Sequence, residues 1–113
     1  MHPHDIDDLT ADVPYVDDGG LLRLGSEWVA IPTQQLPVLE LLLERHDRVV
    51  RTEELAARYR SAGGSGSAGA VQTMLRRLGS RIAALGVELV TIRDRGQLLT
   101  WVRAPVLAGA AVG

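Results

Sequence analysis

At 113 residues, 46% of them apolar, the chain is long enough for one domain with a modest core and too short for two. It contains no cysteine, which excludes a disulfide framework, a thiol nucleophile and a thiolate metal site. The net charge of −2 conceals a segregation: residues 1–20 carry six aspartates and no arginine, residues 21–69 balance, and residues 70–113 carry six arginines against Glu88 and Asp94. An anionic partner therefore belongs on the C-terminal half.

The first eighteen residues are polar, acidic and interrupted by Pro3 and Pro14, and they read as a loosely ordered arm. They lack the cationic and apolar regions of a signal peptide, and no stretch of the chain reaches the length of a membrane span. A cytoplasmic protein without membrane contact is expected. The folded domain is expected over residues 19–103, with an apolar tail over 104–113. Its first elements are two short β-prone runs, Leu21 to Leu24 and Trp28 to Ile31, around a Gly25-Ser26 turn.

In "PTQQLPVLELLLERHD" leucines recur at helical spacing (Leu36, Leu39, and Leu42 or Leu43, with Val38 beside them), Thr33 is placed to cap, and Arg45 and His46 suit the negative end of the helix dipole. Pro37 is tolerable because it falls in the first turn. A brief strand over Arg48 to Val50 precedes a second helix, "TEELAARYR", with Thr52 as cap, Glu53 and Glu54 in the first turn, and Leu55 and Tyr59 on the buried face. Residues 61–70, "SAGGSGSAGA", read as a flexible loop, most simply a passive connector.

A third helix is expected over about residues 70–85. Val71, Leu75, Leu78 and Ile82 fall in one narrow arc, with Met74 and Leu85 at its margin. Gln72, Thr73, Arg76, Arg77 and Ser80 turn away from it, with Arg81 on the flank, and no acid occurs between Ala70 and Val87. Amide, hydroxyl and guanidinium groups read base edges and grip phosphates. A helix of about 24 Å at 1.5 Å per residue suits a major groove roughly 12 Å wide. The plain alternative is a solvated face whose arginines pair with neighbouring carboxylates at little net energy. The chain then closes with "VELVTIRDRGQLLTWV", two β-prone runs around an Asp94-Arg95-Gly96 turn with Arg93 and Arg95 at its tip.

The order and motifs of these elements resemble the winged helix domain of OmpR/PhoB-type response regulators. "IPTQQLPVLELL" is in register with that family's first-helix pattern, with Gln35 where an acid is usual. "VVRTEEL", Val49 to Leu55, resembles its "V-V-S-R-E-E-L", and "VQTMLRRLGSRI", Val71 to Ile82, is similar to its recognition helix. "TIRDRGQ", Thr91 to Gln97, resembles its wing. The resemblance spans about residues 19–102. It implies an α+β winged helix-turn-helix with three helices, short N-terminal strands and a C-terminal β-hairpin wing. It also implies a transcriptional regulator bound to double-stranded DNA, with the third helix in the major groove and the wing on the backbone or in the minor groove. On that reading Gln72, Thr73, Arg76, Arg77, Ser80, Arg81, Thr91, Arg93 and Arg95 touch DNA, and a guanidinium suits the strongly negative potential of a narrow minor groove.

Three positions depart from the family pattern: Gly79 replaces an arginine, Asp94 a wing glycine and Gln97 an aromatic. Gly79 also costs about 1 kcal/mol of helix stability relative to alanine. The competing class is a winged-helix interaction module that docks on RNA polymerase or another regulator through the first helix and the Gly-rich loop, without DNA. A stand-alone chain with no receiver domain is expected, and nothing in the sequence fixes a homodimer surface. The acidic arm either solubilises the chain, the simpler reading, or folds over the basic half in competition with DNA. His2, His4 and Asp5 lack the fixed geometry of a metal site. His46 has no partner nucleophile, and Trp28 and Trp101 read as strand or core residues. With no catalytic set, phosphate loop or cofactor fingerprint, neither an enzyme nor a cofactor is expected.

Overall fold

A computed structural model describes residues 13–101. The group His2, His4 and Asp5 and the tail over 104–113 lie outside the described residues. The first sheet has three antiparallel strands in the order β1 (Tyr15–Val16), β2 (Leu21–Leu24) and β3 (Glu27–Ala30). The hairpin expected around Gly25-Ser26 is present, with Leu24 opposite Glu27 and Gly25 at φ 63°. A left-handed glycine at the first of two turn residues is what a type II′ hairpin uses.

Strand β1 lies within the stretch expected as a loosely ordered arm and ties its last described residues to the domain, since Tyr15 pairs with Arg23 and Val16 with Leu22. The cause is local. The Asp17 carboxylate accepts the backbone N–H groups of Gly19 at 2.9 Å and Leu21 at 3.0 Å, which turns the chain back on itself, and it accepts the Arg23 Nε at 2.5 Å. The Arg23 guanidinium, helped by the Leu21 N–H, holds the Asp17 carboxyl below the usual carboxylate range. A folded-state pKa below the unfolded one stabilises the protein above the unfolded value of about 3.9, and the gain is lost progressively from there as pH falls through the lower folded-state value. Wild type and Asp17→Asn should therefore differ in denaturant midpoint at pH 7 and draw together as pH falls through the lowered folded-state pKa. A difference that persists at the acid end would deny Asp17 this role.

A 3₁₀ turn, Thr33–Gln35, leads into α1 (Leu36–Glu44). Thr33 does not cap it; no side chain makes a capping bond there, and the turn closes through Gln35 N–H to Pro32 O at 2.9 Å. Pro37 sits in the first turn, as its missing N–H requires. Val38, Leu39, Leu41 and Leu42 are all buried, a wider stripe than the spacing implied. The helix packs on both α2 (Thr52–Ser61) and β6 (Gly96–Trp101), so more than one face is covered. Arg45, expected to serve its own helix end, instead donates from Nη1 to both carboxylate oxygens of Glu54 at 2.9 Å and joins α1 to α2.

Strand β4 is Val49–Arg51, one residue later than expected. Thr52 is the first residue of α2 and makes no capping bond, while Glu53 and Glu54 occupy the first turn, where they complement the dipole. Helix α3, Ala68–Ala83, begins inside the Gly/Ser/Ala stretch, because the Ser67 hydroxyl accepts the Ala70 N–H at 3.2 Å. Val71, Met74, Leu75, Leu78 and Ile82 are buried, as their spacing required. Strand β5, Val87–Ile92, and β6 form the closing hairpin, and the second sheet runs β4-β6-β5. One hydrophobic cluster joins Leu22 of the first sheet, Leu39 of α1, Leu55 of α2, Leu78 of α3 and Leu99 of β6. No helix among the described residues is long and apolar enough to cross a membrane.

Candidate nucleic-acid interface

The core stripe of α3 fixes what the helix shows to water. With Val71, Met74, Leu75, Leu78 and Ile82 turned inward, Gln72, Arg76, Arg77, Ser80 and Arg81 are exposed and Thr73 is half-buried. The hairpin supplies the second part. Its last paired residues are Ile92 and Gly96, and the connection is Arg93-Asp94-Arg95, closed by Arg95 N–H to Ile92 O at 3.0 Å. The expected Asp94-Arg95-Gly96 turn is thus displaced by one residue. Asp94 takes the left-handed position at φ 61°, which aspartate tolerates, and Gly96 belongs to β6. Arg93, Asp94 and Arg95 are exposed at the tip.

Between helix and hairpin lies a groove of about 540 Å³ lined by Gln72, Leu75, Arg76, Gly79, Ser80, Ala83, Leu89, Thr91 and Gln97. Gln72, Thr91 and Gln97 also line a depression of about 310 Å³ that reaches Asp94 and Arg95 at the tip and Thr52 and Glu53 at the start of α2. On the outer side of α3, Arg76 and Ser80 share a shallow depression of about 370 Å³ with Arg77 and Arg81. These shared residues connect the cations of α3 to the wing tip through one water-facing surface. Thr73 and Arg93 are not among the residues lining these depressions.

The ion pairs among the described residues are Asp17–Arg23, Arg45–Glu54 and Arg51–Glu53. None of Arg76, Arg77, Arg81, Arg93 and Arg95 pairs with a described carboxylate, so the neutralising pairs considered from the sequence are not made among the described residues. Asp94 at the tip and Glu53 at the end of the groove are the acids of this surface. Thr91 is exposed, but its hydroxyl donates to Gln97 Oε1 at 3.2 Å, so in this arrangement its proton is not offered to a phosphate. Gln97 is 4% exposed and holds the base of the wing with that bond, in the place the resemblance gives to an aromatic.

Sequence reasoning passed over Glu53, Ala83 and Leu89 as parts of this surface, since the helix-to-hairpin packing that collects them is tertiary. Trp101 is half-buried on β6 with its ring 4.8 Å from the His46 ring, whereas Trp28 is 55% exposed on β3. Among the described residues no group of three His, Cys, Asp or Glu side chains could hold a metal ion.

Three helices, a short N-terminal sheet and a β-hairpin packed beside the third helix define an α+β winged helix-turn-helix domain. Solved structures share that fold. The C-terminal domain of NsrR, a lantibiotic response regulator of nisin resistance, superposes with a TM-score of 0.67 at 23% identity, over 77% of this chain and 90% of that one. The DNA-binding domain of the response regulator AdeR, in complex with an intercistronic region, superposes with a TM-score of 0.60 at 14% identity, over 80% and 95%. No protein-family model matches the sequence, and the comparison with curated proteins gives no match. Both neighbours are domains of response regulators, one of them a DNA-binding domain, and they share the fold the sequence motifs implied.

Proposed function

We propose that the chain is a cytoplasmic DNA-binding transcriptional regulator. Helix α3 enters the major groove with Gln72, Thr73, Arg76, Arg77 and Ser80 toward bases and phosphates. The wing, residues 91–97, lies against the backbone or in the neighbouring minor groove with Arg93 and Arg95, and Arg81 adds a backbone contact. Thr91 shapes the wing through Gln97. The observation that carries this reading is the connected surface from Arg81 to Arg95, whose arginines have no described carboxylate partner. The neighbour solved with an intercistronic region uses the same fold on DNA.

Selection from random duplexes, followed by salt titration on the enriched sequence, tests it. Each phosphate neutralised contributes about −0.9 to the slope of log K against log salt, so three to five arginine contacts give a slope of roughly −3 to −5. Failure to enrich any sequence, together with a flat salt dependence, would point to the interaction module that docks on protein without touching DNA.

A further inference from the structure

The closing sheet has two faces, and the core uses one of them. Alternation along the ladder turns Val50, Val87, Leu89, Gln97 and Leu99 inward and leaves Val49, Arg51, Glu88, Val90, Ile92 and Leu98 on the outer face. Val49, Leu98 and Val90 share one rung, one on each strand, and make an apolar row across the sheet. Val49 is 38% exposed and Val90, Ile92 and Leu98 are half-buried, yet none of the four packs against the hydrophobic cluster. Two charges flank the row. Arg51 lies one strand to one side of Leu98 and two rungs toward the wing tip; Glu88 lies one strand to the other side and two rungs away from the tip. With strands about 4.8 Å apart and a rise of about 3.4 Å per residue, each is about 8 Å from Leu98 in opposite directions. Glu88 makes no ion pair with a described residue, and Arg51 makes only a long one, 3.8 Å to Glu53, with both side chains largely exposed.

We propose that this outer face is a homodimer interface, with Leu98 on the two-fold axis and two reciprocal Arg51–Glu88 pairs, one on either side of it. An isologous contact sets a surface against itself, so a patch that fits must carry opposite charges at the positions the axis exchanges. Arg51 and Glu88 meet that condition. Being equidistant from Leu98 and opposite in direction, they exchange under an axis that lies in the plane of contact at right angles to the line joining them. That axis makes the strands of the two copies cross at about 70°, near the orthogonal class of sheet packing. It also inclines both wing tips toward the same end of the axis, which keeps Arg93 and Arg95 of each copy outside the contact. The patch is small. Three strands wide and a few rungs long, it is at the low end of specific interfaces, and a dimer with Kd of about 10–100 µM is expected.

Sedimentation of the full chain without DNA, over a range of concentrations, tests it. The wild type is expected to pass from monomer to dimer across about 10–100 µM. Arg51→Glu and Glu88→Arg should each weaken the dimer by about tenfold or more, because like charges then meet on both sides of Leu98. The chain carrying both reversals should recover to within about threefold of the wild type, since the pairs re-form with their signs exchanged. Leu98→Lys sets two cations on the axis and should leave a monomer. Arg51 and Glu88 are exposed and on the outer strands of the sheet, so the reversals keep the test intact even if Leu98→Lys does not fold. A wild type that stays monomeric up to about 1 mM overturns the proposal, as does a dimer that neither single reversal weakens. A full chain that dimerises only once residues 104–113 are removed assigns the face to that tail and overturns it equally. Because no DNA is present, either result leaves the DNA-binding reading where it stood.

Discussion

Gly96→Ala should be the most damaging single-methyl change in the domain, lowering unfolding free energy by about 3–5 kcal/mol. A Cβ at residue 96 would stand 2.0 Å from Val50 O, 2.8 Å from Val50 C and 2.9 Å from Arg51 Cα. All three are backbone atoms of β4, so no side chain can turn aside to make room. The residue also holds φ at 154°, a region L-residues rarely adopt. Because β6 is the central strand, Gly96 pairs with Ile92 on one side and Arg51 on the other, and relaxing either contact disturbs a ladder. At roughly 4–8 °C per kcal/mol for a domain of this size, the melting temperature should fall by more than about 12 °C. Gly86→Ala is the matched control, since Gly86 has φ 81° with nothing near its missing Cβ, and its backbone strain alone should cost about 1 kcal/mol. Equal losses in the two variants, measured by denaturant unfolding, would contradict the β4–β6 register.

The second large effect concerns binding. Arg76→Ala combined with Arg93→Ala should weaken affinity for the selected duplex by about 1–3 kcal/mol for each arginine that reads a base, or reduce the salt slope by about 0.9 for each that grips a phosphate. Both side chains are exposed and without a described carboxylate partner, so their removal leaves no buried charge unpaired. Stability should stay within about 0.5 kcal/mol of the wild type. One arginine is on α3 and the other on the wing tip, so their effects should add unless they contact the same phosphate. Duplex binding undiminished in the double variant would remove both arginines from the interface.

The parts legible from sequence alone were those whose signal is a period. The inward residues of α3 announce themselves at 3.6-residue spacing, and the paired runs of the wing announce themselves by β-prone composition. Strand β1 has two residues and no period; it exists because Asp17 folds the chain back and binds Arg23. The start of α3 was hidden by small residues, with Ser67 as the cap that distinguishes loop from helix. Thr33 and Thr52 have the right composition for caps and do not act as such, because each is already the first residue of its helical turn, one position past the cap. Gln97 and Gly96 have meanings set by partners distant in sequence. The first is a buried amide bonded to Thr91, and the second yields to the β4 backbone. The joining of helix cations and wing tip into one surface is likewise tertiary, so the residues could be named from sequence while their connection could not.

The position of β6 between β4 and β5 divides the hairpin into a stem and an interchangeable head. The stem is riveted to the rest of the domain up to the rung formed by Ile92 and Gly96, and the three residues 93–95 lie beyond it. Exchange of the side chains at 93 and 95 therefore changes what the ribbon presents without entering the ladder, while position 94 must keep a residue that tolerates φ 61°. A lineage carrying this architecture can vary two exposed positions of the head independently of its stem.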